Sequence, residues 1–159
     1  MEFTFTPENL TRINEVISHY PEKRPAVMAV LYIAQEQNGW ISYDAMKEVA
    51  RILEMTEEEI LGIVTFYTMY HEKQVGKFHL QVCTNVSCML RGGYKIYDHV
   101  KEKLAIENGG VTDDKLFSLE EVECMGSCGT APMIAINEDY YENLNIQQID
   151  QIIESLKNK

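Results

Sequence analysis

The sequence is short of basic residues, and this shortage argues against several classes of partner. Lysine and arginine together number 14, against 25 aspartate and glutamate residues, which leaves a formal net charge of −11 over 159 residues. Nucleic-acid binding needs clustered cations to neutralise phosphates, and anionic membrane surfaces select for the same residues. We therefore expect no nucleic-acid partner, and a protein or small-molecule partner is favoured.

Long apolar stretches are also missing. The longest, AVMAVLYIA at 26–34, is far shorter than the ~20 residues that a helix needs to cross a bilayer. The amino terminus, MEFTFTPEN, has no basic segment followed by an apolar one, so it does not resemble a secretory signal. We expect no direct membrane insertion. The expected location is cytoplasmic, including the cytoplasmic face of a membrane if the chain belongs to a complex.

Recognisable nucleotide and catalytic motifs are absent as well. The glycines at 92–93 and 109–110 do not form the G-x-G-x-x-G pattern of dinucleotide sites, and no glycine-rich loop is suited to cradling phosphate. No serine, histidine and aspartate pattern indicates a nucleophile. We therefore predict no nucleotide site, no flavin site and no catalytic residue on this chain.

The first 70 or so residues have the periodicity and the capping signals of helices. Thr6-Pro7 is typical of a helix start, and TEEE at 56–59 has the form of a capping box. Asn38-Gly39 is a typical helix end. The predicted helices run from Pro7 to about His19, from about Pro25 to Asn38, from Ser42 onward, and from Thr56 to near Tyr70.

A group of aromatic and methionine residues closes this helical region. Phe66, Tyr67, Met69 and Tyr70 follow one another closely at the predicted end of the fourth helix. Such residues are enriched in the cores of protein interfaces, although burial in the chain's own core is their commoner fate. Both interpretations, docking surface and core, stay open on the sequence alone.

The second half alternates strands with helices. Apolar and polar residues alternate in FHLQVC at 78–83, and again in LFSLEEVEC at 116–124 apart from a break at Glu120-Glu121. Two shorter strands are predicted at 132–137 and 140–144, and helical stripes begin near Cys88 and Ile146. We predict an α+β chain with a helical bundle at 1–75 and a β-α-β-β-β-α domain at 76–159.

All four cysteines lie in two short segments, VCTNVSCMLRGG at 82–93 and VECMGSCGTAP at 122–132. The first pair has the spacing C-x4-C and the second C-x3-C, with 35 residues between the pairs. Cys83 and Cys124 end the first two predicted strands. If these strands are neighbours in one sheet, Cys83, Cys88, Cys124 and Cys128 emerge together and could bind one metal centre. Because cytosolic thiols stay reduced, metal, cluster or redox chemistry is favoured over disulfides.

The spacing leaves several chemistries open. A [2Fe–2S] cluster needs four cysteine ligands, and a structural zinc ion also accepts four thiolates. Buried free thiols are a further alternative, and a thiol-redox protein is weakened because neither pair is C-x-x-C. Gly126 and Gly129 favour the cluster, since glycine allows tight turns that bring backbone N–H groups near sulfur. Arg91 could add a nearby cation.

The two cysteine segments, in this order and separation, resemble those of the thioredoxin-like [2Fe–2S] ferredoxins. More narrowly, they resemble the 24 kDa-type subunits of NADH:quinone oxidoreductases, respiratory complex I. The resemblance extends upstream through RPAVMAVLYIAQEQNGWIS and VTFYTMYHEKQVGKFHLQVC and covers about 20–137. It implies a helical bundle followed by a thioredoxin-like domain. It also implies one [2Fe–2S] cluster bound by Cys83, Cys88, Cys124 and Cys128.

The resemblance further implies the partner and the reaction. The partner would be a flavoprotein subunit that holds FMN, the NADH site and a [4Fe–4S] cluster, within a larger redox complex. This chain would then be an electron-transfer subunit of an NADH dehydrogenase and would not oxidise NADH alone. Equivalent subunits occur in NAD-linked hydrogenases and formate dehydrogenases, so either complex is an alternative. A zinc-stabilised interaction module is a more distant one.

Two details of the second domain also follow from the resemblance. A cis proline commonly lies beside the redox centre of the thioredoxin fold, so we expect the Ala131–Pro132 peptide bond to be cis. Family members often have proline just before the second cysteine, where this chain has Ser87. That departure leaves the ligand set intact but would alter the loop and the cluster potential.

Overall fold

Residues 3–158 are described by a computed structural model, and the chain divides between Gln74 and Val75 into two units. Each unit has its own cluster of buried apolar residues. The first unit is helical, and the second combines a four-stranded sheet with helices, so the predicted α+β class is confirmed.

The first unit consists of four α-helices whose starts are set mainly by local capping. The side chains of Thr6, Ser42 and Thr56 each accept a hydrogen bond from the backbone N–H three residues on. Thr56 forms a complete capping box with Glu59. The helices are α1 (Pro7–Ser18), α2 (Val27–Asn38), α3 (Tyr43–Leu53) and α4 (Glu57–Phe66).

Helix α4 ends at Phe66, four residues before the predicted end. The backbone becomes extended at Tyr67, and this turn sends the Tyr70 ring into the core. There the Tyr70 hydroxyl donates to the carbonyl oxygen of Met28 over 2.9 Å. The Gln35 side chain binds two backbone groups of the segment 69–71, so long-range contacts stabilise this segment in place of another helical turn.

The aromatic group at this point is divided between core and surface. Tyr70 is only 4% exposed and belongs to the core of the first unit. Phe66 is 75% exposed, and Tyr67 and Met69 are each 38% exposed. The core interpretation therefore holds for Tyr70, while the other three side chains lie on the surface.

The second unit contains a mixed sheet in the order β2-β1-β3-β4. Strands β1 and β2 are parallel, and the other two pairs are antiparallel. The elements are β1 (Phe78–Cys83), α5 (Val86–Leu90), α6 (Gly93–Leu104), β2 (Phe117–Val122), β3 (Ile134–Ile136), β4 (Asp139–Tyr141) and α7 (Ile146–Lys157).

The helix predicted from Cys88 onward is two helices in the structure. The chain leaves α5 after Leu90, and Gly92 takes a φ of 96°, a left-handed conformation that favours glycine. Helix α6 then begins at Gly93. Strand β1 has the predicted bounds, whereas β2 and β3 are shorter than predicted at both ends. Strand β4 begins one residue before the predicted strand and ends three residues earlier.

The core of the second unit joins the sheet to its two longest helices. Phe78, Leu80 and Val82 alternate along β1 and pack in one cluster with apolar residues of α6 and α7. In the parallel pair, Cys83 lies opposite Val122, so both strands end at the same level. This register determines where the cysteines lie.

Candidate metal centre at the ends of the parallel strands

The two cysteine pairs occupy the same edge of the sheet. Cys83 is the last residue of β1, and Cys124 lies two residues beyond the end of β2. Cys88 lies within α5, the short helix that follows β1. Cys128 opens a 3₁₀ turn over Cys128–Thr130. The condition under which both cysteine pairs emerge at one end of the sheet, that β1 and β2 are neighbours, is met.

The four thiols are free and fall into two environments. Cys83 and Cys88 are buried in a small apolar cluster with Ala131 and Met133, against which Val122 and Met125 pack. Cys124 and Cys128 are exposed in the loop after β2. The site therefore combines a shielded pair on β1 and α5 with an accessible pair on the loop.

The buried thiols interact with each other. Burial, followed by a side-chain hydrogen bond with Cys83, raises the pKa of the Cys88 thiol to about 11. A backbone hydrogen bond from Met133 acts in the opposite direction, and the Cys128 charge raises this pKa further. In the metal-free protein Cys88 is thus a neutral thiol at neutral pH. Binding a metal requires the loss of that proton, because the thiolate is the ligand.

Backbone groups also reach the sulfur atoms. Gly126 has a φ of 82° and donates its N–H to the Cys124 Sγ over 3.4 Å. The Cys83 Sγ lies 3.6 Å from the carbonyl oxygen of Glu123, to which it donates. The predicted role of Gly126, a tight turn that directs an N–H at sulfur, is confirmed. Hydrogen bonds of this kind stabilise and tune thiolate-bound metal groups.

The segment after the second pair contains a cis proline and is joined to Arg91 by a hydrogen bond. The Nε of Arg91 donates to the carbonyl oxygen of Ala131 over 2.7 Å. The Ala131–Pro132 peptide bond is cis, as the resemblance implied. The carbonyl oxygen of the next residue, Met133, accepts a hydrogen bond from the backbone N–H of Cys83 at 3.4 Å. These contacts connect the loop to the end of β1.

The donor chemistry fits a thiolate-bound metal group, although the thiols are not gathered into a preformed binding set. Within residues 3–158, no three His, Cys, Asp or Glu side chains form a group that could hold a metal ion. Cys83 and Cys88 are hydrogen-bonded, and Cys128 is close enough to affect Cys88 electrostatically. Cys124 lies on the exposed loop. The four residues share one edge of the sheet without any competing histidine in the two segments.

Sequence reasoning missed a carboxylate beside this site. The buried Thr84, directly after Cys83, donates its hydroxyl to the Glu121 carboxylate over 2.7 Å. The only sequence signal was the break in alternation at Glu120-Glu121. On the other face of β2, Glu120 instead bonds His79, whose second ring nitrogen meets the buried Ser118. His79 thus joins β1 to two residues of β2.

In the described part of the chain, every helix is too short or too polar to cross a membrane.

Comparison with known proteins bears directly on this site. The family model for "Thioredoxin-like [2Fe-2S] ferredoxin" matches residues 13–157. The chain is 45% identical over 159 residues to the E subunit of the NADH-quinone oxidoreductase of Rickettsia bellii (strain RML369-C), covering 98% of this chain and 95% of that protein. It is 39% identical over 145 residues to the E 2 subunit of the NADH-quinone oxidoreductase of Rhizobium meliloti (strain 1021), covering 91% and 86%.

A solved structure shares the fold. An NAD+-reducing [NiFe]-hydrogenase in the H2-reduced state superposes with a TM-score of 0.76 at 21% identity. The match covers 85% of this chain but only 22% of the hydrogenase chain. From the family match and the near full-length relatives, the chain belongs to the thioredoxin-like [2Fe–2S] ferredoxin family.

Proposed function

We propose that this chain is an electron-transfer subunit of an NADH-oxidising complex and that it carries one [2Fe–2S] cluster. The observation that carries the proposal is that four free cysteines lie at one edge of the sheet in a member of this family. The relatives named as E subunits of NADH-quinone oxidoreductases, which match over nearly their whole length, support the choice of complex.

The residues that would hold the cluster are Cys83 and Cys88 from the first segment and Cys124 and Cys128 from the second. Four cysteine ligands are what a [2Fe–2S] cluster requires. When bound, such a cluster supplies reversible one-electron transfer, and the chemistry belongs to the cofactor. The chain needs no nucleophile and no proton donor for this role, in keeping with the absence of a catalytic motif.

The surrounding residues shield two of the cysteines from water and donate a hydrogen bond to the sulfur of a third. Ala131 and Met133 pack against Cys83 and Cys88, so two of the ligands lie away from water. The Gly126 N–H points at the sulfur of Cys124, where it favours the thiolate over the thiol. Burial and hydrogen bonding to sulfur are the means by which a protein sets the reduction potential of an iron–sulfur centre.

We propose as partner a flavoprotein subunit that holds FMN, the NADH site and a [4Fe–4S] cluster, with the whole complex at the cytoplasmic face of a membrane. The relatives favour an NADH:quinone oxidoreductase. An NAD-linked hydrogenase or formate dehydrogenase is the second candidate, supported by the fold shared with an NAD+-reducing [NiFe]-hydrogenase. Mass spectrometry of the native complex purified through this chain separates them, because a hydrogenase or formate dehydrogenase subunit would overturn the first assignment.

The cluster itself is tested on the chain purified without oxygen. Iron and sulfide are assayed, and visible and EPR spectra are recorded before and after reduction with dithionite. About two irons and two sulfides per chain, with an S = 1/2 signal on reduction, are expected of a [2Fe–2S] protein. A colourless protein with about one zinc ion would overturn the electron-transfer function, since zinc has no redox chemistry.

The ligand assignment is tested by replacing each cysteine with serine. We expect Cys83→Ser, Cys88→Ser, Cys124→Ser and Cys128→Ser each to lower iron and sulfide content. Ser87→Ala is the matched control, because it changes the neighbour of Cys88 without removing a thiol. If a variant keeps the full iron and sulfide content and an unaltered EPR signal, the cysteine that it replaces is not a ligand.

A further inference from the structure

We infer that Arg91 is a positioning residue for the cluster: it fastens the two cysteine segments together and supplies the cation that favours the reduced state. This inference rests on the proposed function. Arg91 follows α5 and lies three residues after Cys88, whereas its acceptor Ala131 lies three residues after Cys128. The 2.7 Å hydrogen bond from Arg91 Nε to the Ala131 carbonyl oxygen therefore joins the far ends of the two pairs.

The backbone of Arg91 is fixed relative to Cys88. Its N–H donates to the carbonyl oxygens of both Ser87 and Cys88, at 3.3 and 3.1 Å, and so closes the end of α5. The following turn packs tightly, because a Cβ placed on Gly93 would lie 2.8 Å from the carbonyl oxygen of Cys83. The guanidinium thus extends from a rigid base, and its bond to Ala131 fixes the loop relative to α5.

Two hydrogen bonds of Cys83 to the segment after β2 are longer than the Arg91 bond. The Cys83 N–H lies 3.4 Å from the Met133 carbonyl oxygen, and the Cys83 Sγ lies 3.6 Å from that of Glu123. Both of these involve Cys83, while the backbone of Met133 also forms a hydrogen bond with the thiol of Cys88 in α5. The Arg91 bond, at 2.7 Å, is shorter than either bond of Cys83 and is the one that joins α5 to Ala131 through a charged side chain. Its acceptor Ala131 is fully buried and packs in the same small cluster as Cys83 and Cys88.

The charge of Arg91 is also isolated. It is the single basic residue in the two segments 82–93 and 122–132. The carboxylates that lie in these segments or accept a hydrogen bond from them include Glu123, Glu121, which Thr84 bonds, and Glu142, which accepts from the hydroxyl of Thr130. Reduction adds a negative charge to an iron–sulfur centre, so a cation at this edge raises its potential and carboxylates lower it. Arg91 therefore offsets, at this edge, the negative charge of an acidic chain.

Three variants of the full chain separate position from charge. Arg91→Gln removes both the charge and the Nε donor, and Arg91→Lys keeps the charge but loses the planar guanidinium. Lys95→Gln is the matched control for the charge, because Lys95 is an exposed residue of α6 whose ammonium makes no hydrogen bond or ion pair within residues 3–158. The cluster potential is measured by EPR-monitored redox titration. Cluster release is measured as loss of visible absorbance in the presence of a chelator.

We expect Arg91→Gln to shift the reduction equilibrium roughly three- to tenfold towards the oxidised form; tenfold equals 59 mV for a one-electron couple. It should also release the cluster several-fold faster. Arg91→Lys should retain a potential close to that of the wild type while still releasing the cluster faster. Lys95→Gln should change neither quantity. If Arg91→Gln carries no cluster, the release rate of Arg91→Lys decides the positioning role alone.

The outcomes distinguish this inference from the proposed function. A wild-type chain without iron and sulfide overturns both. A wild-type chain that holds its cluster, together with an Arg91→Gln variant that matches Lys95→Gln in potential and release, overturns the role of Arg91 alone. Release from Arg91→Lys at the wild-type rate overturns the positioning part, and an unchanged potential in Arg91→Gln overturns the part assigned to charge.

Discussion

Gly93 has no Cβ, and this allows the start of α6 to approach the backbone of Cys83 and Cys88 closely. A Cβ there would lie 2.8 Å from the carbonyl oxygen of Cys83 and 2.9 Å from that of Cys88, closer than such atoms approach. Because both neighbours are backbone atoms of predicted ligands, they cannot turn aside as a flexible side chain would. The substitution Gly93→Ala therefore tests whether this close approach is needed.

We expect Gly93→Ala to lower iron and sulfide content and the melting temperature together, because both cysteines must shift. The control is Gly62→Ala in α4, where a Cβ would meet nothing within 4 Å. That change should stabilise the chain by up to about 1 kcal/mol, since alanine is the better helix former. A Gly93→Ala protein with full cluster content and an unchanged melting temperature would show that the backbone relaxes at little cost.

The unequal burial of the thiols predicts their chemistry in the metal-free protein. Cys124 and Cys128 are exposed and should react first with iodoacetamide at pH 8. Cys88 should react far more slowly, because it is buried and its pKa is raised to about 11, against about 8.5 for a free cysteine. Mass spectrometry after timed alkylation identifies the order. In denaturant, all four should react at similar rates.

The same raised pKa has a consequence for stability, with a definite sign. Because folding favours the neutral thiol of Cys88, its contribution is fully present below about pH 8 and is lost as the pH rises towards 11. Urea unfolding of the metal-free chain between pH 7 and 10.5 measures this loss. The Cys88→Ser variant should show a weaker dependence on pH over that range, and an identical dependence would contradict the assignment to Cys88.

At the scale of the element, capping residues determine where the helices of the first unit begin. Thr56→Ala should destabilise the chain by about 1 kcal/mol, because it removes the hydroxyl that accepts from the Glu59 N–H in the capping box and leaves only the bond from the backbone N–H of residue 56 to the Glu59 carboxylate. Thr65→Ala makes the same chemical change within α4, where the hydroxyl bonds the carbonyl oxygens of Leu61 and Gly62 in the preceding turn. Denaturant unfolding should show that Thr65→Ala is neutral or slightly stabilising. Equal losses in the two variants would argue against the cap.

These elements also show which parts of a fold can be predicted from sequence. The starts at Thr6, Ser42 and Thr56 were predictable because a cap and its donor N–H lie three residues apart. The end of α4 was not predictable, since it depends on contacts of Tyr70 and its neighbours with Met28 and Gln35, more than 30 residues away. Interactions that are local in the chain leave a local pattern, and interactions between distant segments do not.

The same distinction between local and long-range interactions applies to the candidate metal site. The cysteine spacing and the alternating strands predicted that both pairs share one edge, because parallel neighbours end together. Cys83 and Cys88 are buried because they pack with Ala131 and Met133, which follow the second cysteine pair in the chain. The hydrogen bond from Thr84 to the Glu121 carboxylate and the one from Arg91 to Ala131 each join segments more than 30 residues apart. The placement of the four candidate ligands was therefore predictable from the sequence, whereas the contacts around them required the fold.

At the scale of the whole molecule, the site and its support belong to one unit. All four cysteines, the strands that carry them and the apolar residues around Cys83 and Cys88 lie in the unit that begins at Val75. That unit has a separate core, built from the sheet with α6 and α7. The first unit contributes no cysteine to the chain.

We therefore expect a chain truncated to residues 75–159 to fold and to hold the same cluster as the full protein. At about 85 residues it is within the size range of small domains that fold alone. Its far-UV circular dichroism should show cooperative unfolding, and its iron, sulfide and EPR signal should match those of the full chain. Residues 1–74 should fold without iron. If the truncated chain folds cooperatively but holds no cluster, then the cluster depends on residues of the first unit, and the proposed ligand site is incomplete.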